Sequence, residues 1–235
     1  MGYAEHSRHD RGDAAVHPDA RGQGIGTFLA GWLVDLVHSR GVERVGMPNP
    51  VGSPGDRLLE SLGWEVRWTS WVLQLPKGAA VPERPLPAGY VVGEAPPSSY
   101  VEAHGVLEDA FLEWSVRDRE PYAEFEATTL GRPGFEPWML RTVTDPEGRV
   151  AAVAVVLLSG EDAEAYVDRL ATRADQRGRG LAQALLVDAF VAGRAHGATK
   201  SGLSTDSRTG ALDLYLKVGM EVTDVWVNRA SPAAS

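Results

Sequence analysis

The chain has 235 residues, 43% of them hydrophobic, a net charge of −9 and no cysteine. That much apolar side chain can bury the core of one large or two small domains. The charge argues against a general binder of nucleic-acid backbone, and the missing cysteines exclude disulfides, thiolate metal sites and an acyl-cysteine intermediate.

The first residues, "MGYAEHSRHDRGDAAV", contain no apolar leader, and the longest apolar run, Val150 to Leu158, is too short to cross a bilayer. A soluble, cytoplasmic protein with no nucleic-acid or membrane partner is therefore expected. His6 and His9 form the one close histidine pair. With no third ligand in register they read as surface residues, and no metal site is expected.

Twenty residues precede the phrase "RGQGIG" (Arg21 to Gly26), enough for part of one strand. After the phrase, Ile25, Phe28, Leu29, Trp32, Leu33, Leu36 and Val37 recur at helical spacing, and Gly41 closes the run. A short strand (about 42–47), a short helix and an alternating strand from Trp64 follow. "PKGAAVPERPLPAG", Pro76 to Gly89, has linker composition and sets a domain boundary at 76–89.

Beyond the linker the pattern predicts a strand from Tyr90 and helical stretches over Ser99–Trp114 and Pro121–Leu130. A hairpin follows, Trp138–Thr144 and Arg149–Leu158 around "DPEG", and then a strand over Ala163–Thr172. Next comes "RGRGLA", Arg177 to Ala182, with a helix carrying Leu185, Leu186, Ala189 and Phe190 and ending near Gly197. A strand over Lys200–Ser204, a short helix and a strand from Met220 complete the order, and 230–235 reads as a tail.

Shifting the sequence by 156 positions places Arg21 on Arg177, Gly22 on Gly178, Gly24 on Gly180, Leu29 on Leu185, Gly41 on Gly197, Leu58 on Leu214 and Gly63 on Gly219, without a gap. Chance loops would share the loop but not the distance to a later helix end, so the pattern indicates a duplicated unit. Its first copy is short at the front: residues 1–75 read as a partial domain and 90–229 as a complete one.

Alternating glycines before a helix bring loop backbone close to a ligand, while the first-turn amides and the helix dipole attract an anion. A plain strand-to-helix turn would use the same glycines. The phrase lacks the Lys-Ser/Thr of a phosphate-binding P-loop and the spacing of a dinucleotide fold.

"VHPDARGQGIGTFL" and "TRADQRGRGLAQALL", with "ALDLYLKVGM" downstream, resemble the acyl-CoA-binding motif R-x-x-G-x-G/A of the GNAT superfamily of N-acetyltransferases. The resemblance implies an α/β fold with a mixed, twisted sheet whose central strands splay to admit pantetheine. It implies acetyl-CoA as co-substrate, held in the complete copy by Arg177, Gly178, Arg179, Gly180, Leu181 and Ala182, with the backbone of Leu170, Ala171 and Thr172 along the pantetheine. Arg21, Gly22, Gly24 and Gly26 are the matching residues of the first copy. The family includes tandem proteins with one degenerate copy.

Tyr215 stands where the family commonly places the acid that protonates the CoA sulfur, and a core aromatic is its ordinary alternative. Leu59 occupies the aligned position of the first copy. Asp168, nine residues before Arg177, is the candidate base, with an ion pair to Arg169 as the equal alternative and Glu164 in reserve. Strict alternation puts Tyr166 and Asp168 on one face. Ser207 departs from the asparagine that relatives often carry to contact CoA.

Glu108, Asp109, Glu113, Asp118, Glu120, Glu124 and Glu126, opposed by Arg117 and Arg119, form either an acidic rim that attracts a cationic amine or solvated helix faces. Trp114 and Tyr122 line that pocket or pack. The expected activity is acyl transfer from CoA to a small-molecule primary amine by the second copy. A peptide or protein acceptor and a non-catalytic acyl-CoA-binding module stand as alternatives. The apolar strand "WEVRWTSWVLQL" needs a cover, either a packed sheet between the domains or a second copy in a homodimer.

Overall fold

The computed structural model describes residues 1–7, 10–76, 78–159 and 163–233; His9 and the last two residues of the expected tail lie outside these. In chain order the elements are β1 (Gly2–Ser7), β2 (Arg11–Val16), α1 (Ile25–Ser39), β3 (Gly46–Pro50), α2 (Pro54–Ser61), β4 (Glu65–Leu75) and β5 (Val91–Glu94). Then come α3 (Tyr100–Phe111), α4 (Tyr122–Phe125), β6 (Leu140–Thr144), β7 (Val150–Ser159), β8 (Glu164–Thr172), α5 (Leu181–Ala195), β9 (Lys200–Asp206), α6 (Leu212–Lys217) and β10 (Glu221–Ala230).

Two compact units emerge. The first comprises Met1–Trp71, Asp206–Arg208 and Asp224–Ser235, and the second Val72–Thr205 and Thr209–Thr223.

In the first unit the segment before Arg21 holds two strands rather than part of one. β1 and β2 pair antiparallel from Gly2↔Val16 to Ser7↔Arg11. β2 meets β3 in parallel at Arg11↔Gly46, and β3 pairs antiparallel with β10 from Gly46↔Ala230 to Pro50↔Trp226. A strand from the far end of the sequence therefore completes this sheet.

α1 lays Ala30, Leu33 and Val37 against Val45, Met47, Leu59 and Trp64. Phe28 and Trp32, expected on the same apolar stripe, are 69% and 40% exposed, so the covered stripe is narrower than the apolar pattern. Ser53 caps α2 by accepting from the Asp56 amide at 3.1 Å, and Pro54 supplies the first helical residue. Arg229 of β10 is buried; its Nε donates to Asp56 at 2.6 Å, and its terminal nitrogens donate to the Trp64 carbonyl and Glu60.

In the second unit β5, β6, β7 and β8 form an antiparallel run, and β9 adds to β8 in parallel. β7, "VAAVAVVLLS", is buried on both faces, as its unbroken apolar run requires. Val153 and Val155 pack with Val106 and Leu107 of α3 and with Phe125. α5 covers the opposite face, where Gly193 sits so close to Ala165 that an added Cβ would lie 2.4 Å from the alanine methyl.

Both units are mixed α/β sheets with helices on them. Among the described residues no helix is long and apolar enough to cross a membrane.

Candidate active site

The two glycine phrases adopt the same backbone. His17 and Arg173 open a 3-10 turn at φ/ψ of −51/137° and −51/136°, and Arg21 and Arg177 leave it at −72/162° and −67/163°. Gly22 and Gly178 have φ of +73° and +75°, Gly24 and Gly180 +78° and +79°. L-residues with a Cβ rarely adopt such angles, so the glycines answer a conformational demand. An added Cβ on any of the four would meet nothing within 4 Å, which places the loops beside open space.

Each loop leads into a helix of fifteen residues with no side-chain cap. The first bonds back to the loop are Phe28 N to Gly24 O at 3.0 Å and Ala184 N to Gly180 O at 3.1 Å, leaving the preceding first-turn amides to an outside acceptor. Arg21 Nε donates to the Val16 carbonyl at 3.4 Å and Arg177 Nε to the Thr172 carbonyl at 3.2 Å. Each arginine thus fastens its loop to the strand before it.

Gly26 differs from the others: a Cβ there would lie 2.7 Å from Leu58 Cδ2, so this glycine is required for close approach of α2 to α1.

In the second unit the sheet opens beside the loop. β8 and β9 pair from Glu164↔Lys200 to Val167↔Leu203 and no further. At the same level the β7–β8 register steps from Val156↔Val167 to Val155↔Arg169, so Asp168 is the extra residue of a bulge.

The bulge reverses the side-chain phase. Ala165 faces α5, whereas Ala171, of the same parity, joins the α3 core. Strict alternation through Tyr166 and Asp168 therefore does not hold. Leu170, Ala171 and Thr172 pair with β7 on one edge and have no β9 partner on the other, which leaves the backbone donors and acceptors of that edge without a strand partner just before the glycine loop.

The structure gathers Leu170–Thr172, Arg177–Ala182 and the bulge residue Asp168 on consecutive elements of the second unit. Arg179 is exposed, while Leu181 is buried under the loop. Asp168 is exposed and stands 3.7 Å from Arg169 Nε. Tyr215, on α6, is 8% exposed. Burial pushes its phenol above the usual tyrosine range, against a weaker opposing effect of the hydrogen bond with Thr205.

Ser207 falls in the first unit. Its amide donates to the Thr69 carbonyl at 2.8 Å and its hydroxyl accepts from the Thr69 amide at 3.2 Å, so both groups are already used in a strand-like bridge.

Four of the seven acidic side chains of this stretch are paired with arginines. Arg117 donates to both Glu108 oxygens at 2.7 and 2.8 Å and holds that carboxyl below its ordinary range, Asp109 binds Arg119, and Glu120 accepts from Arg169 at 3.0 Å. Glu113 accepts from both terminal nitrogens of Arg177. Asp118, Glu124 and Glu126 are exposed, so the arginines compensate the stretch in part.

His104, Glu108 and Glu120 bring ligand atoms within 4.8 Å of one another, the geometry of a cation site. Both carboxylates are matched by guanidinium groups. Arg177 tied to Glu113 and Arg169 tied to Glu120 are contacts beside the glycine loop and the bulge that sequence spacing does not reveal.

The first unit contains a cavity of about 550 Å³ lined by the glycine loop, by Ala14 to Val16 of β2, and by residues of α1, β3 and α2, including Leu59.

The acetyltransferase (GNAT) family model matches residues 2–59 and 102–220, one stretch on each glycine loop. No curated protein matches the sequence. The GCN5-related N-acetyltransferase from Sphaerobacter thermophilus is similar over 100% of this chain and 78% of its own, with 23% identity and a TM-score of 0.81. A tandem GNAT protein from the clavulanic acid biosynthesis pathway is similar over 96% and 76%, at 19% identity and a TM-score of 0.69.

A GCN5-related glucosamine N-acetyltransferase region of a fungal multi-domain β-N-acetylglucosaminidase is similar over 97% of this chain and 31% of its own, at 16% identity and a TM-score of 0.72. These likenesses concern the fold. With the family model covering most of the chain, and with the glycine loop and splayed strands in place, the chain belongs to the acetyltransferase (GNAT) family and is an N-acetyltransferase by class.

Proposed function

We propose that the chain carries two GNAT copies, a partial and non-catalytic one over 1–75 and a complete one over 90–229. The second transfers the acyl group of acetyl-CoA directly to a primary amine of a small molecule. The observation that carries this reading is the end of β8–β9 pairing at Val167↔Leu203, level with the bulge and next to the unpaired edge of Leu170–Thr172. A pantetheine arm fits that edge as an added strand would, with the pyrophosphate on the first-turn amides after Gly180.

The reaction needs an oxyanion donor, an acid and a sink for the amine proton. The amine lone pair attacks the thioester carbon, and a backbone amide near Leu170 or Ala171 takes the developing oxyanion. As the C–S bond breaks, the thiolate accepts the Tyr215 proton, and the amine proton leaves toward Asp168 directly or through water. A phenol pushed upward by burial is protonated throughout the neutral range, so its proton is in place when the C–S bond breaks.

In the first copy Leu59 has no proton to give. That favours a binding role there, and no observation favours a peptide acceptor over a small amine.

Acetyl transfer to a panel of amines, with wild type and Tyr215→Phe compared, tests the reading. Transfer that collapses in the variant supports it. Tight CoA binding without transfer to any amine by the wild type sinks it.

A further inference from the structure

His104 of α3 is 6% exposed, and its Nε2 finds no hydrogen-bond partner among the described residues. A ring nitrogen shut away from water and left bare is unfavourable, so a ligand that fills it is favoured.

The surroundings of His104 say which ligand. A ring nitrogen of His104 and one oxygen from each of Glu108 and Glu120 lie within 4.8 Å of one another. His104 and Glu108 stand four residues apart on α3, one turn along the same face. Glu120 is brought to them by its own amide, which donates to Glu108 at 2.7 Å. The rings of Phe125 and Tyr122, with centroids 5.1 and 5.7 Å from the imidazole, close the apolar side.

Arginines hold both carboxylates without using them up. A carboxylate has about four lone-pair positions. Glu108 fills three, with Arg117 Nη2 on Oε1 and with Arg117 Nη1 and the Glu120 amide on Oε2, so one position on Oε1 is left. Glu120 gives Oε2 to Arg169, and its Oε1 takes no hydrogen bond among the described residues. The Arg117 guanidinium, more than any other group, holds the Glu108 carboxyl below its ordinary range and so keeps it ionised as a donor. Charge favours a cation as well: residues 108–126 carry seven acids, and only Arg117, Arg119, Arg169 and Arg177 are set against them.

We propose that His104, Glu108 and Glu120 bind one divalent transition metal of the zinc class. One imidazole nitrogen with two carboxylate oxygens is a donor set for Zn²⁺, whereas Mg²⁺ and Ca²⁺ take oxygen alone. Bonds of about 2.0–2.2 Å require the three atoms to draw together by roughly an ångström, which side-chain rotation supplies. The bound ion ties α3 to the residues just before α4. This site lies within the second unit and does not depend on the two-copy reading or on the acyl-transfer steps.

The experiment is calorimetric titration of the full chain with ZnCl2 and with MgCl2, for wild type, His104→Gln and Glu120→Gln. Wild type is expected to take one Zn²⁺ at a histidine-dependent site, with Mg²⁺ binding at least about a hundredfold more weakly. Each folded variant is expected to lose at least about tenfold in Zn²⁺ affinity. The Glu120 side chain is 15% exposed, so Glu120→Gln reports even if His104→Gln, deeper in the core, does not fold. A zinc-soaked crystal should show an anomalous peak between the three side chains.

Zn²⁺ bound no more tightly than Mg²⁺ by wild type overturns the proposal. So does Zn²⁺ affinity that is unchanged in the folded variants, or anomalous peaks at other residues only, the pattern of adventitious surface histidines.

Discussion

Glu113 accepts from Arg177 Nη2 at 2.7 Å and Nη1 at 2.8 Å, a two-pronged clasp on the arginine that opens the second glycine loop. The hydrogen bonds of Arg177 hold the Glu113 carboxyl below its ordinary range, so the clasp persists through the neutral pH range. An incoming pyrophosphate meets a cation already matched by a carboxylate.

Glu113→Gln should therefore tighten CoA binding. Both side chains are 46% exposed, so solvent screens the effect and the gain should be roughly two- to fivefold, shrinking as salt rises. Titration with CoA at two ionic strengths checks it, and weaker binding in the variant would show that Glu113 supports the loop instead of competing for it.

Tyr215→Phe keeps the ring and removes the proton. Turnover should fall roughly a hundredfold or more with little change in KM for acetyl-CoA. Because burial raises the folded pKa, the phenol stays protonated beyond pH 10, and wild-type turnover should lose its acid only above that range. An alkaline limb near pH 7 to 8 would have to belong to another group.

The turn between β6 and β7 is fixed by Asp145, whose side chain is 1% exposed. Burial works against its charge, but hydrogen bonds from Arg173 and from the amide and guanidinium of Arg149 outweigh that and hold it at about 2. A carboxyl depressed in this way contributes stability above its unfolded value near 3.8, and the contribution fades as pH falls through about 2. Asp145→Asn should cost about 1–3 kcal/mol at neutral pH. In acid titration of the two proteins followed by unfolding, the gap should close between pH 4 and 2.

Arg229 is the buried anchor of β10. Arg229→Ala leaves Asp56 buried without its strongest partner and should destabilise the first unit by about 3–5 kcal/mol in urea unfolding. Burial raises the Asp56 carboxyl, and the hydrogen bonds of Arg229 and the Gly52 amide, with the charges of Arg229 and Arg57, together bring it below its ordinary range, so the deficit of the single variant against wild type should grow as pH rises from the acid range to neutrality. Replacing the pair together, Asp56→Asn with Arg229→Met, should recover part of the loss, since no lone charge then remains inside.

What could be read in advance follows physical range. α1 and α5 were legible because helical spacing, a glycine at each end and a repeated offset are all local signals. The bulge at Asp168 was not, since a bulge is a two-against-one match with a partner strand and leaves no mark in "EAYVDRLAT" alone. β1 was missed because "GYAEHS" has little apolar alternation; its pairing with β2 makes it a strand.

Phe28 and Trp32 matched the apolar period, but the period measures a helix and not the width of what covers it. At the site, the loop glycines and Tyr215 were visible as types at spacings. Glu113 on Arg177 and Glu120 on Arg169 join residues 64 and 49 positions apart, which only the folded chain brings together.

The pairing of β3 with β10 also has a consequence for how the protein is made. Val227 lies opposite Asn49 and Arg229 opposite Met47, so the first unit's sheet lacks a strand until the ribosome has delivered nearly the whole sequence. At roughly 5–20 residues per second the early half waits on the order of ten seconds or more with the β3 edge and the Asp56 carboxyl uncovered. During that interval the unpaired β3 edge is open to other strands.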